Sequence, residues 1–360
     1  MFKEKKEHLS CKKIGKYLEF MQNKDSRGFS KNKYFRYGAV ITMAVFLFFS
    51  GFFMGKNIKV EDNGSDKERG WEIRQSGYVF INPLLECEVD GDSPILRSTE
   101  LQIKKTIQDE VIEKNPDASI SVYYRDLKNG PWLGINEQWE YSLASLLKVP
   151  IMVAYYKYSE QNPSIFEKKL TFEKPSLEFF QQFKSKEHIQ IGKSYSVLQL
   201  IESMIKYSDN EATNLLFQNI DIKELRAIFS DLGISAPNLY DANNLMSVKG
   251  YASFFRVLYN ASYLNRSTSE QALRLLSLVE YKNGLVAGIP ESTLISHKFG
   301  ERESLSEDKQ IVRQLHDCGI IYHPERPYLL CVMTKGKNFE SLSRIVANIS
   351  RIIYEQVDAH

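Results

Sequence analysis

A serine and a lysine three residues apart, Ser145 and Lys148, form the pattern in this sequence that most directly suggests covalent chemistry. Residues at that spacing lie on one face of a helix, so the two side chains can share a hydrogen bond. The lysine amine could then accept the serine proton and leave a nucleophilic oxygen, which the start of a helix would stabilise. The spacing alone is weak evidence, because it also occurs in this chain at Ser10, Ser30, Ser203 and Ser306.

Two motifs further along the chain could complete such a site. Ser208-Asp209-Asn210 lies where one predicted helix ends and the next begins, and Lys298-Phe299-Gly300 lies on a predicted strand. Each has a simpler interpretation when taken alone. The first is typical of a helix N-cap, and the lysine of the second could be an exposed edge-strand residue that discourages aggregation. Together with Ser145 and Lys148, they supply the nucleophile, base and proton donor that acyl transfer from an amide requires.

From about residue 97 to 356 the chain resembles the class A β-lactamase-like serine hydrolases, which belong to the penicillin-recognising serine acyltransferases. Those enzymes carry Ser-x-x-Lys, Ser-Asp-Asn and Lys-Thr-Gly in this order. Here the first two motifs match fully and the third matches in two of three positions, with Phe299 in place of threonine. The stretches Gly284–Pro290 and Asp317–Tyr322, before and after the lysine strand, also agree with the family.

The resemblance implies a role in acyl transfer for each matching residue. Ser145 would be the nucleophile that becomes acylated, and Lys148 would accept its proton. Ser208, polarised by Lys298, would pass a proton to the leaving nitrogen. The backbone N–H groups of Ser145 and Glu301 would form the oxyanion hole. Since two neighbouring cations depress each other's pKa, the two lysines should help to keep one amine neutral.

The same resemblance implies a set of substrate-binding residues. Asn210 would hold Lys148 and the side-chain amide of the substrate, Lys298 would bind the substrate carboxylate, and Gly300 would belong to the substrate-binding strand. Phe299 replaces the threonine whose hydroxyl usually assists carboxylate binding, so anchoring should be weaker or different in kind. On a regular strand Phe299 points away from Lys298, so it could also simply pack. No metal and no other cofactor is expected.

The step that releases the acyl group is less well supported by the sequence. The β-lactamases of this family carry a glutamate on a loop after Ser-Asp-Asn, where it activates the deacylating water. Here that region, Pro237–Met246, is shorter and contains no glutamate. Asp241, together with Asn244, is placed to substitute. The alternative is ordinary Asx-turn chemistry before the helix predicted to begin at Val248.

The distribution of predicted strands and helices indicates the architecture that would bring these motifs together. β-rich runs predict strands at Ser119–Asp126, Trp132–Ile135, Leu294–Gly300, Gln314–Tyr322 and Tyr328–Thr334. Helical spacing predicts helices from Ser98 to about Lys114 and at Ser194–Tyr207, Glu211–Phe217, Ile222–Leu232, Val248–Leu264, Ser269–Glu280 and Glu340–Gln356. We therefore expect an α/β (α+β) fold. A five-stranded antiparallel sheet from both ends of the domain would be flanked by helices, with an inserted all-helical lobe and the site in the groove between.

Residues 37–55 form an uncharged, mostly apolar stretch of 19 residues. This is about long enough to cross a ~30 Å hydrocarbon core as a helix. Basic residues crowd its N-terminal side, which predicts a cytoplasmic N-terminus and an extracytoplasmic catalytic domain. A cleaved signal peptide is the alternative, but the preceding region is long and no small-x-small cleavage site follows Gly55. We interpret the protein as a single-pass protein of the cytoplasmic membrane.

Charge is distributed unevenly along the 360 residues. Residues 1–36 hold 11 basic and 4 acidic residues, a net +7, whereas the remainder carries −5. The basic excess belongs to the tail, which argues against nucleic-acid binding and fits a tail near anionic lipid headgroups. We divide the chain into a basic cytoplasmic tail (1–36), a transmembrane helix (37–55), a linker whose segment Tyr78–Leu85 could dock (56–95), and a serine hydrolase domain (96–360).

Cysteine is sparse in this chain, with four residues, so the sequence does not predict a disulfide scaffold. Cys318 and Cys331 are equidistant from the turn that Pro324-Glu325 predicts, and could face each other on a hairpin in an oxidising compartment. The interpretation that we favour is two buried free thiols. No spacing of cysteine and histidine predicts a metal site.

Three classes of function remain open. The first is a β-lactamase that hydrolyses antibiotics through a Ser145 acyl-enzyme, with slow deacylation because the loop glutamate is missing. The second is a peptidoglycan D,D-peptidase-like enzyme for which penicillin mimics a stem-peptide substrate. The third is a non-catalytic wall-binding domain of the same fold, which would have no need of intact Ser145, Lys148, Ser208, Asn210 and Lys298. The sequence does not indicate an oligomeric state.

Overall fold

Strands from both ends of the domain enclose a run of helices, as the sequence predicts. In chain order the strands are β1 (Glu72–Arg74), β2 (Leu84–Cys87), β3 (Ser119–Asp126), β4 (Trp132–Ile135), β5 (Glu140–Ser142), β6 (Lys169–Thr171), β7 (Ser194–Ser196), β8 (Leu245–Ser247), β9 (Ile295–Leu305), β10 (Ile311–Ile321) and β11 (Tyr328–Gly336). The α-helices are α1 (Ser98–Ile107), α2 (Lys148–Ser159), α3 (Val197–Lys206), α4 (Asn210–Gln218), α5 (Ile222–Asp231), α6 (Val248–Tyr259), α7 (Arg266–Leu276) and α8 (Phe339–Asp358). Short 3₁₀ turns span Ala144–Leu147, Pro163–Glu167 and Leu285–Gly288, and a π-helical turn, Gln108–Ile112, extends α1.

The computed structural model describes residues 72–87, 98–128, 131–175, 182–185, 187–239, 244–306 and 308–359. All of them belong to one structural unit, Arg69–His360. The predicted tail (1–36), the predicted transmembrane helix (37–55) and the first part of the linker lie outside the described residues. Within the described part of the chain, no helix is long and apolar enough to cross a membrane.

The central sheet is antiparallel and has the strand order β4-β3-β11-β10-β9. Its strands come from the beginning and the end of the domain, which confirms the predicted five-stranded sheet. The helices α2 to α7 lie between these two groups of strands in the sequence. Among the described strands, β9 forms one edge of the sheet, so one side of its backbone is not paired with another strand of this sheet.

The ladder register places alternate residues of β9 on opposite faces of the sheet. Lys298 and Gly300 face the turn Ala144–Leu147, since a Cβ added to Gly300 would lie 3.0 Å from the backbone of that region. Phe299 and Glu301 face the other way, and Glu301 lines a cavity together with residues of α8. The two residues start on opposite faces of the strand, as expected, but their side chains meet, since Lys298 Nζ lies 4.1 Å from the centroid of the Phe299 ring.

Helix α2 is buried on all sides over its first nine residues. Every residue from Lys148 to Tyr156 is buried, as its nearly continuous apolar sequence predicts. Its first residue is the lysine of the Ser-x-x-Lys pair, so the helix that fills the centre of the domain also fixes the position of Lys148. Displacing this lysine would require moving the central packing element of the domain.

Several predicted helix boundaries are wrong by a few residues, and local capping explains the differences. The helix predicted to run to Leu264 ends at Tyr259, because Asn260 caps it and Ala261 adopts a left-handed conformation, with φ 48°. The next helix begins at Arg266 rather than Ser269, since the Asn265 side chain accepts a hydrogen bond from the Thr268 N–H. Strand β9 extends five residues beyond the predicted end at Gly300, because its pairing with β10 continues to Leu305.

Cys318 and Cys331 form a disulfide bond, so the prediction of two free thiols is wrong. The two residues are direct partners in the ladder between β10 and β11, with Cα atoms 4.0 Å apart. Directly opposed residues of an antiparallel pair have closely spaced side chains, so two cysteines in these positions can form a disulfide between the strands. The bridge therefore crosses the middle of the sheet, and Cys318 pairs with Lys298 on its other side.

The segment predicted to dock on the domain does so. The Glu270 carboxylate of α7 accepts hydrogen bonds from the backbone N–H groups of residues 79–81, at 3.0 to 3.3 Å. The Tyr322 hydroxyl donates to the Phe80 carbonyl at 3.0 Å, and the two rings make an edge contact. Polar contacts and apolar burial thus tie this part of the linker to the rest of the domain.

His316 is a buried histidine held in its neutral form. It lies in β10 with no exposed surface. The Nδ1 atom accepts a hydrogen bond from the Thr334 N–H at 3.2 Å, and Nε2 lies 3.0 Å from the Ser142 carbonyl, to which it can donate. Burial lowers the pKa of His316 to about 4, because the charged form would lose its hydration. A second proton on Nδ1 would also break the bond to Thr334.

We expect this histidine to destabilise the fold in acid. Between pH 6.5 and pH 4 His316 is protonated in the unfolded chain but stays neutral in the native state. The free energy of unfolding should therefore fall as the pH is lowered. The native pKa implies a loss of about 3 kcal/mol across this range. In urea titrations at pH 7 and pH 4, His316→Gln should lose distinctly less stability than the wild type. An equal loss in the two proteins would contradict this assignment.

Candidate active site

The Ser-x-x-Lys pair forms a close contact at the start of the central helix. Ser145 lies in the 3₁₀ turn Ala144–Leu147, and Lys148 is the first residue of α2. The α-helix therefore begins later than the pairing argument assumed. In a 3₁₀ turn, however, residues three apart are eclipsed, which brings the two side chains together. Lys148 Nζ lies 3.0 Å from Ser145 Oγ.

Four oxygen atoms surround the buried amine of Lys148. They are Ser145 Oγ at 3.0 Å, Ser208 Oγ at 2.9 Å, the Ser208 carbonyl at 2.6 Å and Asn210 Oδ1 at 2.8 Å. The carbonyl and the amide oxygen can only accept hydrogen bonds, whereas the two hydroxyls can also donate. A neutral amine has two N–H groups and one lone pair. It can donate to the two obligate acceptors and accept from a serine hydroxyl, which is the arrangement a general base needs.

The environment of Lys148 brings its pKa near neutrality. Burial lowers the pKa to about 7, while the negative charges of Asp209 and Glu301 oppose that shift. The pKa of Lys298 lies well below its usual value, mainly because of burial and secondarily because of the charge on Lys148. The two lysines were predicted to lower each other's pKa. Loss of solvent is instead the main cause for both, and the charge of the other lysine lowers the pKa of Lys298 alone.

The Ser208-Asp209-Asn210 motif combines the two interpretations that the sequence left open. Asp209 is the N-cap of α4, where its side chain accepts hydrogen bonds from the Glu211 and Ala212 N–H groups. Ser208 adopts a left-handed conformation, with φ 56°, between the end of α3 and this cap. That bend directs both Ser208 Oγ and Asn210 Oδ1 to the Lys148 amine. The capping residue thus fixes the helix end, and its two neighbours face the site.

Lys298 reaches the same serine from the sheet. Its Nζ atom lies 3.0 Å from Ser208 Oγ and 2.9 Å from the Phe299 carbonyl oxygen. The side chain has no exposed surface, so the alternative of an exposed edge-strand lysine is wrong. Ser208 Oγ therefore lies between two lysine amines, with Lys148 at 2.9 Å on its other side.

Gly300 lets the edge strand lie directly against the serine-bearing turn. An added Cβ would meet the Leu143 carbonyl and the Leu146 N–H at 3.0 Å, which any larger residue would have to displace. The close approach lays β9 beside the turn that carries Ser145, as an oxyanion hole built from both would require. The Glu301 side chain faces the opposite side of the strand, where it accepts a hydrogen bond from the Phe183 N–H at 2.9 Å.

An aromatic cluster packs around Phe299, whose ring centroid lies 4.1 Å from Lys298 Nζ. The ring of Phe299 stacks on Tyr281, with centroids 4.1 Å apart, and meets Phe183 edge-on at 5.2 Å. A cavity of 620 Å³ is lined by Phe183 and Tyr281 together with Glu301. The sequence analysis missed Phe183 and Tyr281, since neither belongs to a motif. Their place depends on contacts with β9 that local sequence patterns do not reveal.

The proposed deacylation residues are only partly described. Asp241 lies outside the described residues. Asn244 is buried beside the serine-bearing turn, where its carbonyl accepts a hydrogen bond from the Leu143 N–H at 3.0 Å. Ser142 Oγ lies 3.4 Å from Asn244 Oδ1. The end of the loop is therefore anchored next to Ser145. Within the described residues, no group of histidine, cysteine or carboxylate side chains could hold a metal ion.

Comparison with known proteins agrees with this geometry. The family model described as the beta-lactamase enzyme family matches residues 102–357. The chain belongs to that family. The extended-spectrum beta-lactamase PER-1 of Pseudomonas aeruginosa is 28% identical over 181 residues, which cover 45% of this chain and 57% of that enzyme. The chain thus matches little more than half the length of this relative of the beta-lactamase family.

Solved structures show the same fold. PBP-A is 22% identical, with a TM-score of 0.60 over 74% of this chain and 97% of its own. The class A beta-lactamase from Mycobacterium abscessus is 18% identical, with a TM-score of 0.58 over 72% of this chain and 99% of its own. These similarities establish the beta-lactamase and penicillin-binding fold that the motifs predicted.

Because Lys148 must be neutral to accept the serine proton, we expect acylation of Ser145 to follow its titration. The rate of labelling by a fluorescent penicillin should rise about tenfold from pH 6 to pH 8 and then level off. In Asp209→Asn the N-cap side chain is kept but the negative charge that raises the pKa of Lys148 is lost. The midpoint should then fall below that of the wild type. A rate that is flat between pH 6 and pH 8 would rule out Lys148 as the base.

Proposed function

We propose that this protein is a serine hydrolase that opens β-lactam amides through an acyl-enzyme on Ser145 and releases the acyl group slowly. One observation carries the proposal. A single buried amine, that of Lys148, lies within 3.0 Å of both the nucleophile Ser145 Oγ and the proton donor Ser208 Oγ. This arrangement can take a proton from one oxygen and return it through the other.

Acylation would proceed through the contacts of these groups. Ser145 Oγ attacks the amide carbonyl as its proton moves to the neutral Lys148 amine. The tetrahedral oxyanion is bound by the backbone N–H groups of Ser145 and Glu301. When the C–N bond breaks, Ser208 gives its proton to the departing nitrogen and recovers one from Lys148 at 2.9 Å. Lys298, at 3.0 Å, stabilises the charge that develops on Ser208 Oγ.

Deacylation needs a carboxylate that can activate water, and the carboxylates described near Lys148 have other contacts. Asp209 caps α4 and also accepts a hydrogen bond from Ser203 Oγ. Glu301 accepts a hydrogen bond from the Phe183 N–H. Asp241 is the remaining candidate, with a side chain one carbon shorter than the family glutamate. We therefore infer that the acyl-enzyme persists.

Two alternatives from other functional classes are less well supported. A peptidoglycan D,D-peptidase-like activity would use the same acylation machinery. The penicillin-binding proteins among the structural neighbours are compatible with it, since a variant of PBP-A is known as an acyl-enzyme complex with penicillin G. A non-catalytic wall-binding domain is disfavoured, because burying the amines of Lys148 and Lys298 costs solvation that a scaffold has no reason to lose.

Intact-protein mass spectrometry tests acylation and release together. We expect a β-lactam to add its full mass to the wild-type protein within minutes. The adduct should last much longer than the time that an efficient β-lactamase needs for one turnover. Ser145→Ala should form no adduct, whereas Ser306→Ala, which alters another Ser-x-x-Lys pair, should label normally. In Asp241→Asn the adduct should last longer still. Labelling of Ser145→Ala, or rapid steady-state turnover of a chromogenic cephalosporin, would contradict the proposal.

We also propose, from the sequence, that the protein is anchored in the cytoplasmic membrane. The basic tail at 1–36 and the apolar stretch at 37–55 would place the hydrolase domain on the outer face of the cytoplasmic membrane. The full-length protein should sediment with membranes at high salt and dissolve only in detergent, and a form lacking residues 1–55 should not. Recovery of both forms in the soluble fraction would contradict the anchor.

A further inference from the structure

The resemblance to class A enzymes assigns Lys298 to the substrate carboxylate, but its amine is enclosed. The side chain has no exposed surface. Its Nζ atom makes hydrogen bonds to Ser208 Oγ and to the Phe299 carbonyl, and it lies 4.1 Å from the centroid of the Phe299 ring. The amine is therefore closed to a carboxylate, and the Phe299 ring forms one side of its enclosure.

The ring that covers Lys298 is held on two sides. Phe299 is 1% exposed and stacks on Tyr281 with an angle of 17° between the ring planes. Phe183 packs edge-on against it, at 82° and 5.2 Å between centroids. Phe183 also contacts Tyr281 edge-on, so the three rings brace one another. The cover over the amine is therefore a fixed wall of the site.

Two carboxylates lie beside this wall on the same face of β9 and β10, whereas Arg313, further along that face, is paired with Glu303 at 2.8 Å. Asp317 lies directly across the ladder from Phe299, buried and bonded to His297 Nδ1 at 2.8 Å and to the Leu285 N–H at 2.9 Å. Glu301 is two residues along the strand and lines the 620 Å³ cavity. A threonine and an accessible cation would have attracted a carboxylate here. This chain presents an aromatic ring and negative charge instead.

Two cationic side chains also line the cavity, but each should attract an anion only weakly. Arg344 is paired with Glu340 on the same helix, at 3.2 Å, and both side chains are largely exposed. Lys184 is exposed to solvent. Exposed charges interact weakly because water screens them. Glu301 is partly buried, so its charge acts more strongly on a group that enters beside β9.

We propose that Phe299 and Glu301 are specificity-determining residues that select acyl donors with an uncharged group, an amide or an ester, where related enzymes bind a carboxylate. The preferred substrate class is then an amide internal to a longer chain, rather than the last amide before a free carboxyl terminus. This inference rests on the proposed Ser145 acylation and specifies its substrate.

A matched pair of β-lactams tests the selection on the full-length protein. Benzylpenicillin and its methyl ester differ only in whether the carboxylate is free. We expect the second-order rate of Ser145 acylation, followed by mass spectrometry, to be at least about tenfold higher for the ester, since juxtaposed like charges are costly. A wild-type preference for the free carboxylate would overturn the inference.

Variants separate the two residues from general effects. Phe299→Thr uncovers Lys298 and adds a hydroxyl, so the ratio of ester to acid rates should reverse. Glu301→Gln keeps an acceptor for the Phe183 N–H but loses the charge, and the ratio should fall several-fold even if Phe299→Thr proves unstable. Glu340→Gln is the control, because that carboxylate lines the same cavity but is exposed and paired with Arg344. Its ratio should match the wild type.

The outcomes also distinguish this inference from the proposed function. Acylation by both compounds, with a ratio that is the same in the wild type, Phe299→Thr and Glu301→Gln, would overturn the selection while leaving the acyl-enzyme intact. If neither compound acylates the wild-type protein on Ser145, the proposed function fails and the substrate assignment fails with it.

Discussion

Removal of the Lys148 amine from water is the constraint on which the site depends. An ammonium in that position would lose its hydration, and this burial brings the pKa of Lys148 to about 7. The surrounding oxygens belong to three residues on two separate segments. The fold therefore determines the protonation of the Lys148 amine as well as its position. A lysine in water would be a poor base for a serine at neutral pH.

Different structural elements supply each part of that environment. The 3₁₀ turn before α2 eclipses Ser145 with Lys148. The N-cap at Asp209 fixes the bend that directs Ser208 inwards, and the edge strand β9 carries Lys298 to the same hydroxyl. Gly300 permits the close approach of strand and turn. Because the sheet register controls which residues of β9 face the turn, a shift of one residue would exchange Lys298 for Phe299.

The sequence predicted the parts of this arrangement that have local signals. The ordered motifs identified Ser145, Lys148, Ser208, Asn210 and Lys298, and alternation and helical spacing predicted the strands of the sheet and most helices. Features set by distant contacts were missed. Phe183 is positioned by a hydrogen bond to Glu301, which lies 118 residues away. The pairing of Cys318 with Cys331 depends on ladder register, and the dominance of burial over charge repulsion at the lysines depends on packing.

The most direct test of this account is the titration of Lys148 itself. Lysine labelled with ¹³C at Cε reports the charge on its own amine by NMR, and Lys148→Arg assigns the resonance. We expect a midpoint near 7 in the wild-type protein. A Lys148 resonance that titrates above pH 10, as it does for lysine in water, would show that the amine is charged at neutral pH and cannot take the proton from Ser145.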